Sequence, residues 1–296
     1  MVIRCISALI AVLLSAFPAL AEDRIKVVAT FSILGDLARN VGGDRADIAT
    51  LVGPNGDAHV YSPSPADAKK IADAKIVIVN GLGFEGWISR LVRASGSKVP
   101  VVVASKGVKP RRMEGGHGHD HDSDPHAWQS VANVKTYVAN IRDALVAADP
   151  AGKATYEANA TAYLGKLDAL DQEVRDTVAK IPAERRRIIT THDAFGYFKQ
   201  AYGVEFVAPQ GVSTESEASA KDVAKIISQV RRQKIPAVFM ENVSDPRLLK
   251  QISDETGAKV GGTLYSDALT DGNGPAPTYI DMIRHNARTL SGALMN

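Results

Sequence analysis

The chain of 296 residues has a single cysteine, Cys5, which lies in an N-terminal apolar run. No disulfide framework can form, so a metal site further along must be built from imidazoles and carboxylates. Aromatic residues make up only 6%, too few for a base-stacking surface. Excess charge is also missing: 35 basic and 33 acidic residues leave a net +2, without the surplus of a phosphate-tracking protein. A nucleic-acid partner is set aside on both grounds. No apolar run reaches the roughly 20 residues that span a bilayer. The patterns H-E-x-x-H and G-x-S-x-G and the phosphate-binding P-loop are absent as well.

What is present begins with an address. Arg4 precedes a 13-residue apolar stretch, 5–17, which is followed by Pro18 and Ala19-Leu20-Ala21. A basic start, a short apolar middle and a small-x-small end define a secretory signal peptide, expected over 1–21. Cys5 is far from the junction, so it is not a lipid-anchor cysteine and is expected to leave with the signal. The exported remainder is expected to be soluble and free of thiols.

From Ile25 onward, short β-branched runs alternate with helical stretches. Strands are expected over 25–31, 46–52, 75–80 and 99–103, with helices over 33–41, 65–72 and 85–94. Continuous apolar strands alternating with helices indicate a parallel sheet covered on both faces. The rhythm breaks over 106–125 and resumes with helices over 131–148 and 151–181. The second of these carries Tyr156, Ala160, Tyr163, Leu164, Leu167, Leu170, Val174, Val178 and Ile181 at steps of one, three and four, although Gly165 costs it about 1 kcal/mol. Further strands are expected over 187–191, 204–207, 237–241 and 259–263. The helices near 194–202, 219–233, 246–256 and 278–294 alternate with them, and Ser219 and Asp222 cap the second. The fold class is therefore α/β: two lobes, each with a roughly four-stranded, mainly parallel sheet, joined by one long helix. The expected divisions are 22–149 with a His-rich loop at 114–124, a linking helix over 150–181, and 182–296.

Of seven histidines, His285 sits in the last helix and reads as a solvated surface residue. His59 follows the turn-rich stretch after the second strand, His126 follows the loop after the fourth, and His192 comes straight off the fifth. Asp267 follows the last strand. Ligand crevices of open α/β sheets lie at the carboxyl ends of strands, where all four of these residues fall. A lone histidine there is usually a hydrogen-bonded loop residue. Three imidazoles and a carboxylate in equivalent positions of two half-sheets suit a zinc site. The loop adds His117, His119 and His121, with Asp120, Asp122 and Asp124, within ten residues, an auxiliary tract suited to weak metal capture. Gly81-Leu-Gly-Phe-Glu-Gly86 matches the dinucleotide pattern G-x-G-x-x-G. It follows the third strand, however, and no acidic residue ends the next one, so a nucleotide is not expected.

Asp57-Ala-His59-Val-Tyr-Ser-Pro-Ser-Pro65, Asn80-Gly-Leu-Gly-Phe-Glu-Gly-Trp87, Asp124-Pro-His126-Ala-Trp128 and Thr191-His192-Asp-Ala-Phe-Gly-Tyr-Phe198 occur in that order. Together they resemble the successive signatures of the ZnuA/TroA-like, cluster-nine metal-binding proteins of ABC importers, most nearly the AztC-like zinc binders. The resemblance implies a metal held between the lobes by His59 and His126 from the first and His192 and Asp267 from the second. Manganese-preferring relatives carry Glu where His192 stands, so Zn(2+) is implied, and the Gly81–Gly86 stretch becomes a structural turn. Ala58 and Val60 depart from the Pro and Glu often found beside the first histidine.

The implied role is a periplasmic zinc receptor, acting as a monomer. It would deliver its ion to a membrane permease and its ATPase subunit, with a periplasmic zinc metallochaperone as a further candidate partner. The His-rich loop would then load His126, and its deletion would slow loading. The rival reading is a secreted zinc hydrolase that uses the same histidines, with Asp267 or Glu241 as general base.

Overall fold

The computed structural model describes residues 24–112 and 123–295. The expected signal peptide and the loop histidines His117, His119 and His121 lie outside the described residues. The first half runs β1 (Ile25–Phe31), α1 (Ser32–Gly42), β2 (Ala46–Val52), α2 (Pro65–Asp73), β3 (Ile76–Val79), α3 (Ile88–Ala94) and β4 (Val101–Val103). The strands are parallel, in the order β2-β1-β3-β4. All four residues of β3 are buried, as a central strand covered on both faces requires.

Two helices follow, α4 (Val131–Ala148) and α5 (Lys153–Ala179). The second half runs β5 (Arg187–Ile189), α6 (Gly196–Tyr202), β6 (Glu205–Val207), α7 (Ala220–Gln233), β7 (Ala237–Glu241), α8 (Arg247–Thr256), β8 (Lys259–Leu264) and α9 (Tyr279–Leu294). Its parallel sheet has the order β6-β5-β7-β8, the same arrangement as the first. In each sheet the chain switches sides after its second strand. That leaves a crevice at the carboxyl ends of β1 and β3, and another at those of β5 and β7.

The long helix α5 binds the halves together. Its 27 residues span about 40 Å, and Tyr156, Ala160, Tyr163, Leu167, Leu170, Val174 and Val178 form one buried stripe. Glycine at 165 interrupts neither the helix nor its packing, because a Cβ there would meet nothing within 4 Å. One apolar core runs through both halves and includes Phe31, Trp128, Tyr163, Phe198 and Tyr279. A smaller cluster lies around β7, α7 and α8.

Helix α3 starts at Ile88, later than the expected 85, because Glu85 is occupied in the turn before it. Its Oε1 accepts from the Thr30 hydroxyl and the Asn80 N–H, both at 2.6 Å. Gly81, Leu82 and Gly83 have φ of +84°, +56° and +82°, so two glycines serve a left-handed turn rather than a pyrophosphate.

Candidate metal centre

Each ligand candidate is fixed by neighbours outside the cluster before it meets the others. His59 lies beyond β2, where Asp57 Oδ1 accepts its backbone N–H at 2.8 Å and the Trp87 indole donates to the Ala58 carbonyl at 2.8 Å. Trp87, and Phe84 against the His59 ring at 4.6 Å, both come from the glycine-rich turn and the start of α3. His126 is held by Asp124, whose Oδ1 accepts its N–H and lies 2.9 Å from its Nδ1. The other oxygen of Asp124 accepts from Arg111 Nη1 at 2.9 Å. This pair sits tightly against α6, where a Cβ at Gly196 would fall on the Arg111 guanidinium.

His192 follows β5, and Glu241 ends the neighbouring β7. Glu241 Oε2 lies 2.7 Å from His192 Nδ1, while Oε1 accepts the backbone N–H groups of Thr191 at 2.7 Å and His192 at 3.0 Å. Asp267 is placed by Ser266, whose carbonyl accepts from Trp128 Nε1 at 2.8 Å and Gln129 Nε2 at 2.7 Å. Two residues of the first half thus fix the carboxylate supplied by the second.

A carboxylate at Nδ1 keeps the ring proton there and turns the Nε2 lone pair to the centre. His59 Nε2 and His126 Nε2 are 3.3 Å apart. From the Asp267 carboxylate, Nε2 of His59 lies at 3.4 Å, of His126 at 3.4 Å and of His192 at 3.0 Å. One donor atom from each of the four residues falls within 4.8 Å of all the others. A tetrahedron with bonds of about 2.0–2.1 Å has edges of roughly 3.3–3.4 Å, so the donor set fits a divalent metal. His126, His192 and Asp267 are fully buried, and His59 alone keeps 7% exposure.

The electrostatics suit a cation. Burial disfavours charge on His126, yet Asp267 and Asp124 push it up to about 9. Burial likewise opposes charge on His192, but Glu241 and Asp267 hold it well above the ordinary imidazole range. The Asp267 carboxyl is held well below its usual range against its own burial, chiefly by His126 and His192. The pocket is centred on one anion and attracts positive charge. Its back wall is aromatic: Phe84 lies 5.0 Å from Phe31 and 4.8 Å from Trp128, and Trp128 lies 5.2 Å from His126.

Two expectations change. His285 is half-buried rather than solvated, with Nε2 3.1 Å from the Thr263 carbonyl and its ring against Tyr265. Glu241, a candidate base in the rival reading, faces away from the centre onto the His192 loop: its Oε1 accepts the backbone N–H groups of Thr191 and His192, and its Oε2 lies beside His192 Nδ1. Asp124, Phe84 and Trp128 stand in the signature segments without a role in this site that the sequence assigns, and Arg111 stands in none of them.

The family described as "Zinc-uptake complex component A periplasmic" matches residues 27–293. The chain belongs to this family. It is thereby a metal-binding, solute-binding protein. The iron-binding protein YfeA of Yersinia pestis is 37% identical over 274 residues, covering 93% of this chain and 88% of that protein. The manganese-binding lipoprotein MntA of Halalkalibacterium halodurans is also 37% identical, over 92% of this chain and 89% of its own length. The periplasmic zinc-binding protein TroA of Treponema pallidum superposes with a TM-score of 0.87 at 31% identity, covering 92% of this chain and all of that one.

Proposed function

We propose that this chain is the periplasmic zinc-binding component of an ABC importer. It would carry one Zn(II) between its lobes on His59, His126, His192 and Asp267 and pass it to a membrane permease and its ATPase. The observation that carries the reading is the convergence of four donors within 4.8 Å of one another, with four of their contacts at 3.0–3.4 Å, close to the edges of a tetrahedral zinc site. Relatives are named for iron, manganese and zinc, so the metal rests on the donor atoms. Three imidazoles with one carboxylate are softer than the carboxylate-rich sets that suit manganese. The ion is cargo, which suits a site closed by four protein donors with no position reserved for a reacting water.

The test is a titration of the demetallated protein with zinc against a chromophoric competitor, beside His192→Ala. We expect one tight equivalent in the parent and its loss in the variant. A tight equivalent surviving in His192→Ala would place the metal elsewhere. Protein isolated from the periplasm with manganese or iron in place of zinc would overturn the metal assignment and leave the site standing.

A further inference from the structure

The two halves meet around the cluster along two seams of different character. The inner seam is buried: Trp128 and Gln129 donate to the Ser266 carbonyl, Tyr279 donates to the Trp128 carbonyl at 2.7 Å, and the Leu269 N–H reaches the Ser32 hydroxyl at 3.0 Å. The outer seam faces solvent and is made of loops. There the Asn55 N–H donates to the Leu269 carbonyl at 2.8 Å, and Asn242 Nδ2 lies 3.3 Å from Asn55 Oδ1. The Thr214 hydroxyl donates to Asp57 Oδ2 at 2.6 Å.

The last of these bonds is unlike the others, because both partners act on ligand candidates. The other oxygen of Asp57 holds the backbone N–H of His59. On the opposite side, Gln210 donates to the Thr191 carbonyl at 3.2 Å and the Asp193 N–H donates to the Gly211 carbonyl at 3.0 Å, so the segment carrying Thr214 is pinned on both sides of His192. Beneath the bond lies a cavity of about 420 Å³, lined by Asp57, Thr191, Gln210, Thr214 and Ser244 among others. The hydroxyls of Thr191, a buried residue, and Ser244 find no hydrogen-bond partner among the described residues. The cavity therefore has polar groups to spare next to Asp57, two residues from His59, the one member of the four-residue cluster with solvent exposure.

We propose that Asp57 and Thr214 form a latch across the mouth of the site. Thr214 is a positioning residue that holds His59 in place through Asp57, and its release is the first step by which the metal leaves. Opening the outer seam lets His59 swing off the ion while Asp124 holds His126, Glu241 holds His192 and the inner seam holds Asp267. The ion then exits past Thr191 through the cavity. This rests on reading the four-residue cluster as the cargo site. A hydrogen bond to a charged carboxylate that faces solvent is worth about a tenfold change in an opening equilibrium.

The experiment loads full-length protein with zinc and measures its release into excess chromophoric chelator by stopped flow, at chelator concentrations where the rate has levelled off. Thr214→Val removes the hydroxyl at nearly constant shape and is expected to release zinc about tenfold faster. Its association rate should stay within about threefold of the parent's. Thr214→Ser keeps the donor and should return to the parent's rate, which a packing defect at this position would not do. Equal melting temperatures of the metal-free proteins confirm that the fold is unchanged. A parent that binds one equivalent, with Thr214→Val releasing it at the parent's rate, overturns the latch alone. A parent that binds none overturns the latch and the proposed function together.

Discussion

The imidazoles of the two halves are held by different means. His192, from the second half, has Glu241 on its ring, and that carboxylate is steadied by two backbone N–H groups. His126, from the first half, also has a carboxylate on its ring, but Asp124 shares its charge with Arg111. His59 is governed through its backbone, by Asp57, rather than through a ring carboxylate. The second half thus provides a rigid, strongly polarised arm, and the first half provides one tempered arm and one that can leave. A carrier needs both, since four equally rigid donors would hold the ion and never deliver it.

The sharpest way to break this comparison is to neutralise the two ring carboxylates separately. Outer-shell partners of metal-bound histidines typically change affinity by about 10–100-fold. Glu241→Gln should fall at the upper end of that range, because its full charge acts on His192. Asp124→Asn should fall near the lower end, because Arg111 already offsets part of its charge. Competition titrations with zinc measure both, with melting curves of the metal-free proteins as a control for folding. Equal losses, or a larger loss in Asp124→Asn, would mean that the Arg111 pairing does not temper its arm.

A smaller effect is expected further out on the His59 loop. Tyr61 donates to Asp67 Oδ2 at 2.8 Å, and Ser64 donates to the same oxygen through its N–H at 2.9 Å and its hydroxyl at 2.7 Å. Against the penalty of its burial, these bonds and Lys70 hold the Asp67 carboxyl well below the usual range. A depressed pKa stabilises the fold at pH above the unfolded value near ~3.9, and that stability is lost as pH falls towards the folded value. Asp67→Asn should therefore cost roughly 1–3 kcal/mol at pH 7. The gap between parent and variant should close as pH falls below about 3, read from denaturant curves. A gap that is the same at both ends would show that the carboxyl is not held ionised by its neighbours.

How much of this was legible in the sequence follows from what a local pattern can carry. The stripe on α5 is a period written along the chain, and every buried residue of it stands out from spacing alone. Of the four converging residues, His59, His192 and Asp267 follow strand ends and His126 follows the loop after one, positions that the fold class turns into a shared crevice. Glu241 drew notice only as a candidate base, because nothing local reveals that the end of β7 lies beside the loop after β5. Asp124, two residues from His126, was visible but indistinguishable from the other aspartates of the loop. The Thr214–Asp57 bond joins residues far apart in the chain, and no spacing rule announces it. Periodicity and strand ends are local, whereas outer-shell pairing is tertiary.

The smallest predicted effect concerns the element that both halves share. Gly165 lies on the exposed side of α5, where an added Cβ would meet nothing within 4 Å. Glycine inside a helix is about 0.5–1 kcal/mol worse than alanine, so Gly165→Ala should raise the melting temperature by about 1–4 °C. Its zinc affinity and release rate should match the parent's, because the site is ordered by loops and strand ends that α5 supports without touching. A change in release rate with this substitution would mean that the helix bends when the mouth opens. The difference between the halves would then lie in the spine as well as in the arms. An unchanged rate confines the moving part to the loops of the outer seam, where His59 is held.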